Sequence, residues 1–280
     1  MARGERTQPP SEWARRISKP HYAFRPGQLL RRMRARELAA TPWNEMRVPE
    51  DVIGRGIART GVHELAVSET VWRLTGPEDL AVDVGANVGY FTGLLARRAR
   101  EVIALEPNPL LLPILRENIA RWQGEVRLLP VAASDTRGHA HLHLLAGYEH
   151  NNGIASLVEQ GTGEGSYEVE TTRLEDVIQG RPVGILKIDV EGHELSVLAG
   201  TPLDLVREIV FEHHGPLAGP VIDALRAADY EIRGIEESFL GPHLVDRVPR
   251  SWDAPTYLAT RRLDEVRRLI APRGWRCLRG

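Results

Sequence analysis

The chain has 280 residues, 42% of them hydrophobic and 26% charged, which are ordinary values for a globular protein that buries a core. It has no apolar run near the roughly 18 residues of a membrane span and no apolar core of a secretory signal at its N-terminus. Its single cysteine, Cys277, excludes an internal disulfide and a cysteine-built metal site. We therefore expect a cytoplasmic protein without a membrane partner.

Charge is distributed unevenly along the chain. Up to Arg36 there are ten basic residues against Glu5 and Glu12, a net charge of +8, so the rest of the chain carries −10 within the overall −2. A basic arm of this kind can bind nucleic acid. A solvated leader is favoured instead, because the chain has only two lysines among its 36 basic residues, which indicates a coding bias. An RNA-modifying or nucleic-acid-binding protein stays the alternative from another function class.

The first part of the chain is weakly patterned. Its first twenty residues predict a loose extension, and the sequence QLLRRMRARELAA predicts a helix over residues 28–40. Residues 50–75 predict an irregular or strand-like piece followed by a helix around Leu65–Leu74. We expect an N-terminal extension with a helical cap over residues 1–75 and a single α/β domain over residues 76–280.

A glycine turn opens this domain. The sequence LAVDVGANVG predicts a buried strand over Leu80–Val84, a tight turn and a helix start. Glycine lets the backbone approach a ligand closely, and a helix N-terminus offers unpaired N–H groups to an anion. The spacing Gly-x-Asn-x-Gly is not the dinucleotide fingerprint, which disfavours a dehydrogenase. A second apolar strand over residues 102–105 ends in Glu106, whose carboxylate is placed to accept hydrogen bonds from ribose hydroxyls.

Strands and helices then alternate in the manner of a parallel sheet covered on both faces. We predict strands over residues 126–132, 183–190, 207–211, 230–235 and 257–260, and helices over residues 90–98, 110–122, 174–178, 194–199, 221–228 and 263–270.

The middle of the chain has a different pattern. Residues 139–145 and 167–172 alternate between apolar and polar, which predicts antiparallel strands. Between them, glycine-rich residues 151–153 and 161–165 predict a mobile loop over the site. His139, His141 and His143 share one strand face, where a solvated face is favoured over a metal site because no carboxylate completes the set.

Polar residues follow the carboxyl ends of five predicted strands, which is where an open parallel sheet binds its ligand. They converge on one rim, and we therefore predict a site there rather than a series of isolated helix caps. These residues are Asp83, Glu106, Ser134 with Asp135, Asp189 with Glu191, and Glu212 with His213 and His214.

The two last strand ends are the densest in titratable groups. The carboxylates of Asp189 and Glu191 are suited to binding a cation, orienting a ligand amine or deprotonating a hydroxyl. Lys187 should point to the same side as Asp189, so a structural salt bridge is an equal alternative. Glu212 and His214 should share one side of their strand, opposite to His213. A histidine near its ordinary pKa is a natural general base for an alcohol.

Six motifs in this order resemble the FkbM family of S-adenosylmethionine-dependent methyltransferases. They are VDVGANVGYFT, ALEPNPLLLPILRENI, VAASDTRG, NNGIASL, VGILKIDVEGHELSVLAG and IVFEHH, and they lie between residues 82 and 214. The resemblance implies a Rossmann-like class I methyltransferase fold, with a seven-strand, mostly parallel sheet that ends in an antiparallel hairpin.

The resemblance also implies roles for individual residues. S-adenosylmethionine would be bound by the glycine turn, the acid after the second strand and the segment after the third, that is by Asp83, Gly85, Ala86, Asn87, Gly89, Tyr90, Phe91, Glu106, Pro107, Asn108, Ser134, Asp135 and Asp189. Catalytic roles fall to Asp189, Glu191, His193, Glu212, His213 and His214.

The expected reaction is methyl transfer to a hydroxyl of a small molecule, a secondary metabolite or a sugar. An open alternative is a Mg²⁺-dependent O-methyltransferase in which Asp189, Glu191 and Glu212 hold the metal. The expected partner is the hydroxyl acceptor, and a homodimer stays an open alternative.

Overall fold

The computed structural model describes residues 38–144, 155–158, 165–250 and 255–279. The strands, in chain order, are β1 (Ala39–Ala40), β2 (Glu45–Met46), β3 (Leu80–Val84), β4 (Glu101–Leu105), β5 (Glu125–Leu129), β6 (Ala132–Ala133), β7 (Gly138–Leu144), β8 (Ala155–Ser156), β9 (Gly165–Thr172), β10 (Val183–Ile188), β11 (Val206–Glu212), β12 (Glu231–Ser238), β13 (Gly241–Val245) and β14 (Thr256–Thr260). The α-helices are α1 (Val52–Thr60), α2 (Leu65–Leu74), α3 (Tyr90–Ala96), α4 (Leu112–Arg121), α5 (Leu174–Ile178), α6 (Glu194–Ala199), α7 (Pro220–Ala227) and α8 (Leu263–Ile270).

The main sheet has eight strands in the order β13-β12-β14-β11-β10-β3-β4-β5. The five strands from β11 to β5 are parallel, whereas β14 pairs antiparallel with both β11 and β12. The strand order reverses between β3 and β10, and this is the position where open α/β sheets bind ligands. The predicted Rossmann-like fold with a late antiparallel hairpin is confirmed.

The strand β13 is an addition to the seven strands that we predicted. It pairs antiparallel with β12 at the edge of the sheet, and Pro242 lies opposite Glu237. Proline cannot donate to a ladder and is tolerated at a sheet edge. The short sequence GPHLV therefore carries little strand signal of its own.

Two cores sandwich the main sheet. One face, which includes Ala81 and Ile185, packs with α2, α3 and the C-terminal segment, while the other, which includes Val82 and Ile188, packs with α5, α6 and α7. The central strands β3 and β10 are buried along their whole length. This burial explains why they appear in the sequence as continuous apolar runs.

The N-terminal part of the described chain corrects two predictions. Ala39 and Ala40, at the end of the helix predicted over residues 28–40, form a strand with β2, and residues 28–37 of that helix lie outside the described residues. The piece predicted as irregular contains α1, whose N-cap Asp51 accepts a hydrogen bond from Gly54 N at 2.6 Å. Two glycines within α1 weaken its helical pattern.

The segment before residue 75 shares a core with the sheet. Trp43, Met46 and Ile57 are buried in the same cluster as α2 and α3. The domain boundary after residue 75 stays a prediction. None of the helices in the described ranges has both the length and the apolar character needed to cross a bilayer.

A second, four-stranded sheet has the order β6-β9-β7-β8, and β7 and β9 are antiparallel as predicted. The third strand predicted over residues 126–132 is divided, because β5 ends at Leu129 and Ala132 already pairs with β9. Pro130 lies between the two pieces and has no N–H to continue a ladder. The loop predicted around residues 151–153 and 161–164 lies outside the described residues, while Gly165 begins β9.

Candidate functional site

A cavity of about 370 Å³ lies at the carboxyl ends of β3, β4, β10 and β11. The glycine turn lines one side, and Glu106, Pro107 and Asn108 line another. The wall opposite is formed by Leu142 and Leu157 of the second sheet region and by residues of α1. The cavity is therefore where the strand-order reversal predicts a ligand.

The glycine turn is held in place by β4 and by the loop after β10. Gly85 has a φ of 79°, and a Cβ at this position would lie 1.8 Å from the carbonyl oxygen of Asp189. The backbone N–H groups of Gly85 and Ala86 both donate to Leu105 O, at 3.0 and 3.1 Å. Only glycine combines this conformation with this close approach.

The last residue of the turn, Gly89, which we also assigned to cofactor binding, has a different environment. Gly89 lies behind the turn, outside the cavity lining, and a Cβ there would be 2.7 Å from side-chain atoms of Leu115 and Trp122. Gly89 is thus needed for packing of α3 against α4. Asn87, by contrast, lines the cavity in a left-handed conformation with a φ of 52°.

Glu106 is buried at the end of β4, with both carboxylate oxygens anchored. One oxygen accepts from Asn87 N at 2.7 Å and the other from Asn108 N at 2.8 Å. Burial raises the pKa of Glu106 to about 7, although these two hydrogen bonds oppose the shift. Each oxygen keeps a further lone pair with which to accept a hydroxyl proton.

A buried lysine, Lys187, contacts two residues of the cavity lining, Asp189 and Phe91. Lys187 is 2% exposed, and its Nζ lies 2.9 Å from Asp189 Oδ2 and 4.6 Å from the centre of the Phe91 ring. Burial disfavours its charge, but the nearby carboxylates, Asp189 first, raise the pKa of Lys187 overall. The structural ion pair, one of our two alternatives for Lys187, is therefore formed.

Asp83 lies beside this pair. Its Oδ2 accepts from Thr92 Oγ1 at 2.5 Å, and burial raises the pKa of the Asp83 carboxyl group even though Lys187 opposes the shift. The hydrogen bond connects β3 to the first turn of α3, so Asp83 holds the glycine turn from its N-terminal side.

Three side chains converge at another edge of the cavity. These are Glu191, Glu212 and His214, and they form its acidic edge. His214 Nε2 lies 3.0 Å from Glu212 Oε1 and 3.5 Å from Glu191 Oε2. Burial, together with the negative charge of Asp189, raises the pKa of both Glu191 and Glu212. Glu212 and His214 are on one side of the strand end, as we predicted.

The other residues predicted to be catalytic or to bind the cofactor after the third strand are divided between the cavity and its surroundings. His193 lines the cavity, its Nε2 lies 3.1 Å from Ser134 Oγ, and burial lowers its pKa. Ser134 is buried and Asp135 exposed, and neither lines the cavity. His213 is also outside the lining, with its ring 6.3 Å from that of Tyr257.

Sequence reasoning missed the part of the lining that comes from before residue 75. Val52, Ile57, His63 and Glu64 all face the cavity, and Glu64 has a left-handed φ of 44° just before α2. Tyr90 OH accepts from His63 N at 2.9 Å, which fixes this segment to α3. No cofactor motif covers these positions, so no local signal pointed to them.

The NNGIASL motif contributes a support for the acidic edge. Ser156 Oγ donates to the carbonyl oxygen of Glu191 at 2.7 Å and accepts from Val158 N at 3.0 Å. Ala155 and Leu157, on either side, line the cavity. The second sheet thereby holds the loop after β10, whose Glu191 is left-handed with a φ of 50°.

Comparison with known protein families shows which family the residues of this cavity belong to. The family described as "Methyltransferase FkbM domain" matches residues 83–232, more than half of the chain. The chain belongs to this family of methyltransferases. The matched residues include the glycine turn, Glu106 and the whole acidic edge, so the predicted family resemblance is confirmed.

Two curated relatives and one solved structure illustrate the family. The hexuronic acid methyltransferase AglP of Haloferax volcanii is 31% identical over 142 residues, which are 49% of this chain and 56% of that protein. The 31-O-demethyl-FK506 methyltransferase FkbM of Streptomyces tacrolimicus is 31% identical over 193 residues, 56% of this chain and 74% of that protein. The chain thus spans little more than half the length of AglP. An FkbM methyltransferase structure from Methylobacillus flagellatus KT matches with a TM-score of 0.42 and 16% identity, over 65% of this chain and 44% of that chain.

Proposed function

We propose that this family member is an S-adenosylmethionine-dependent O-methyltransferase that acts on a hydroxyl of a small molecule, a sugar or a secondary metabolite. The observation that carries the proposal is Glu106, an anchored carboxylate at the end of β4 beside a glycine turn. The similarity to a 31-O-demethyl-FK506 methyltransferase and to a hexuronic acid methyltransferase supports this acceptor class.

The cavity residues fit the parts of this cofactor. Glu106 would accept from the ribose hydroxyls, and the turn from Gly85 to Asn87, which lines the cavity, would lie against the methionine part of the cofactor. Asp83 and Asp189 are placed for its ammonium group, since both line the cavity next to the turn. The bound cofactor supplies a methyl group already activated by positively charged sulfur.

This chain's own contribution to the chemistry is alignment and control of the acceptor proton. Glu191, Glu212 and His214 form the group for proton handling, because they lie together at one edge of the cavity. Asp189 already pairs with Lys187, which assigns it to positioning. His213 lies outside the lining, so the proposal does not include it among the proton-handling groups.

The charge of the lining supports a small acceptor rather than nucleic acid. Among the described residues that line the cavity are six carboxylates and three histidines, but no arginine and no lysine. Nucleic-acid binding depends on cationic side chains that meet phosphates. An uncharged polyhydroxylated acceptor suits this lining, whereas a phosphate backbone would be repelled.

Two measurements test the proposal. Calorimetry should show one S-adenosylmethionine site per chain, and labelled methyl transfer to a panel of sugars and hydroxylated metabolites should identify the acceptor. His214→Ala should reduce turnover by at least about tenfold and leave cofactor affinity unchanged. Absence of cofactor binding by the wild-type chain would overturn the proposal.

A further inference from the structure

The cluster of Glu191, Glu212 and His214 has the composition of a metal site. Each of the three residues presents one ligand atom, and these atoms all lie within 4.8 Å of one another. They come from two different strand ends, the loop after β10 and the segment from Glu212 to His214 at the end of β11. The cluster is therefore built by the sheet and not by one local motif.

The spacing of the ligand atoms discriminates between two kinds of cation. Neighbouring ligands of an octahedral ion with bonds of about 2.1 Å lie roughly 3.0 Å apart, and those of a tetrahedral site roughly 3.3 Å. Three acceptors around an ammonium group, with hydrogen bonds of about 2.8 Å, lie roughly 4.6 Å apart. The observed separations of 3.0 and 3.5 Å from His214 Nε2 fit neighbouring ligands of one metal ion and are shorter than this ammonium spacing, and without an ion 3.0 Å is also the length of a hydrogen bond between His214 and Glu212.

The electrostatics of the cluster agree with this geometry. Glu191 and Glu212 present carboxylate oxygens within 4.8 Å of each other, and Asp189 lines the same cavity. Among the described residues, Lys187 places a positive charge close enough to act on Glu212, but it is paired with Asp189. The two glutamates thus share a region of excess negative charge that a divalent cation would neutralise.

We propose that Glu191, Glu212 and His214 bind one divalent cation at the acidic edge of the cavity. This set differs from the Mg²⁺ alternative of Asp189, Glu191 and Glu212, because His214 stands in place of Asp189, whose carboxylate is paired with Lys187. An imidazole beside two carboxylates favours Mn²⁺ or Zn²⁺ over Mg²⁺. Three protein ligands leave coordination positions for water or an acceptor hydroxyl.

The role of the ion rests on the proposed function. A hydroxyl bound to the cation would have a lower pKa and would lose its proton more readily before methyl transfer. The binding itself does not depend on that reaction, since it follows from the three side chains alone.

Metal titration of the whole, untagged chain tests the proposal. After treatment with a chelator and dialysis, Mn²⁺ binding is measured by electron paramagnetic resonance and Zn²⁺ binding by calorimetry. We expect one site per chain, and E191Q, E212Q and H214A should each weaken binding at least about tenfold. The control is H141A, which removes an exposed histidine of β7.

Failure of metal binding can be distinguished from failure of the proposed methyltransferase function. Equal metal affinity in the wild type and all three variants, or no saturable 1:1 binding of either ion up to about 1 mM, would overturn the metal site. S-adenosylmethionine binding and methyl transfer in the presence of chelator would then still support the methyltransferase. His214 is 58% exposed, so H214A should fold even where E212Q does not.

Discussion

The carboxylate of Glu106 and the backbone N–H of Asn87 are joined by a hydrogen bond of 2.7 Å. This bond ties the end of β4 to the left-handed residue of the glycine turn. The proposed ribose and methionine subsites are therefore mechanically connected, because any movement of the turn also moves the ribose acceptor.

The first prediction concerns this carboxylate. Glu106→Gln replaces one oxygen by an NH₂ group that faces a backbone N–H, so the turn and the ribose contact are both weakened. Affinity for S-adenosylmethionine should fall roughly 10- to 100-fold, the effect of losing about 1.5–3 kcal/mol of charged hydrogen bonding. Calorimetry measures it, and Glu117→Gln on the exposed face of α4 is the control. Unchanged affinity in E106Q would remove the ribose assignment.

The second prediction concerns pH. Burial raises the pKa of Glu106 to about 7, and the ribose needs the ionised acceptor. Protonation therefore competes with the cofactor as pH falls, and Kd should be nearly constant above pH 8 and rise toward tenfold per pH unit below about 7. Since other groups also titrate, the comparison is between wild type and E106Q. A pH profile of the same shape in both proteins would contradict the prediction.

The third prediction concerns the buried lysine. Lys187→Met removes the partner of Asp189 and the positive charge beside Asp83. The uncompensated carboxylates should lower the free energy of unfolding by about 3 kcal/mol, measured by urea denaturation. The double variant K187M/D189N should recover part of this loss, because the side chain at position 189 is then neutral and no longer lacks a partner, while Asp83 is unchanged. If the loss of stability in the double variant equals the sum of the losses in K187M and D189N, the broken ion pair is not the cause of the destabilisation.

The fourth prediction separates two costs at the glycine turn. Gly85 and Gly180 have similar φ angles of 79° and 74°, but only at Gly85 would a Cβ meet backbone, at 1.8 Å from Asp189 O. Gly180→Ala should cost about 1 kcal/mol from backbone strain. Gly85→Ala should cost at least about 3 kcal/mol and also weaken cofactor binding. Equal losses of stability in the two variants would show that the close approach is unimportant.

The local sequence was sufficient for the parts of the site that one strand and its following turn build. The glycine turn, Glu106 and the alternation of buried strands are patterns of a few consecutive residues, and each lies where it was predicted. The short helix α1 and the strand β13 were missed, because Gly54, Gly56 and Pro242 weaken patterns that tertiary packing completes.

The pairing of side chains at the acidic edge could not be derived from the sequence, because it depends on the fold. By itself the sequence determined that Asp189, Glu191, Glu212 and His214 follow parallel strands and so meet on one rim. Only the tertiary structure decided that Lys187 takes Asp189, that His214 joins the two glutamates, and that His63 and Glu64 enter the cavity. The reason is physical: the period of a strand or helix determines which side a residue faces, whereas distances between side chains from separate elements depend on how the whole core packs.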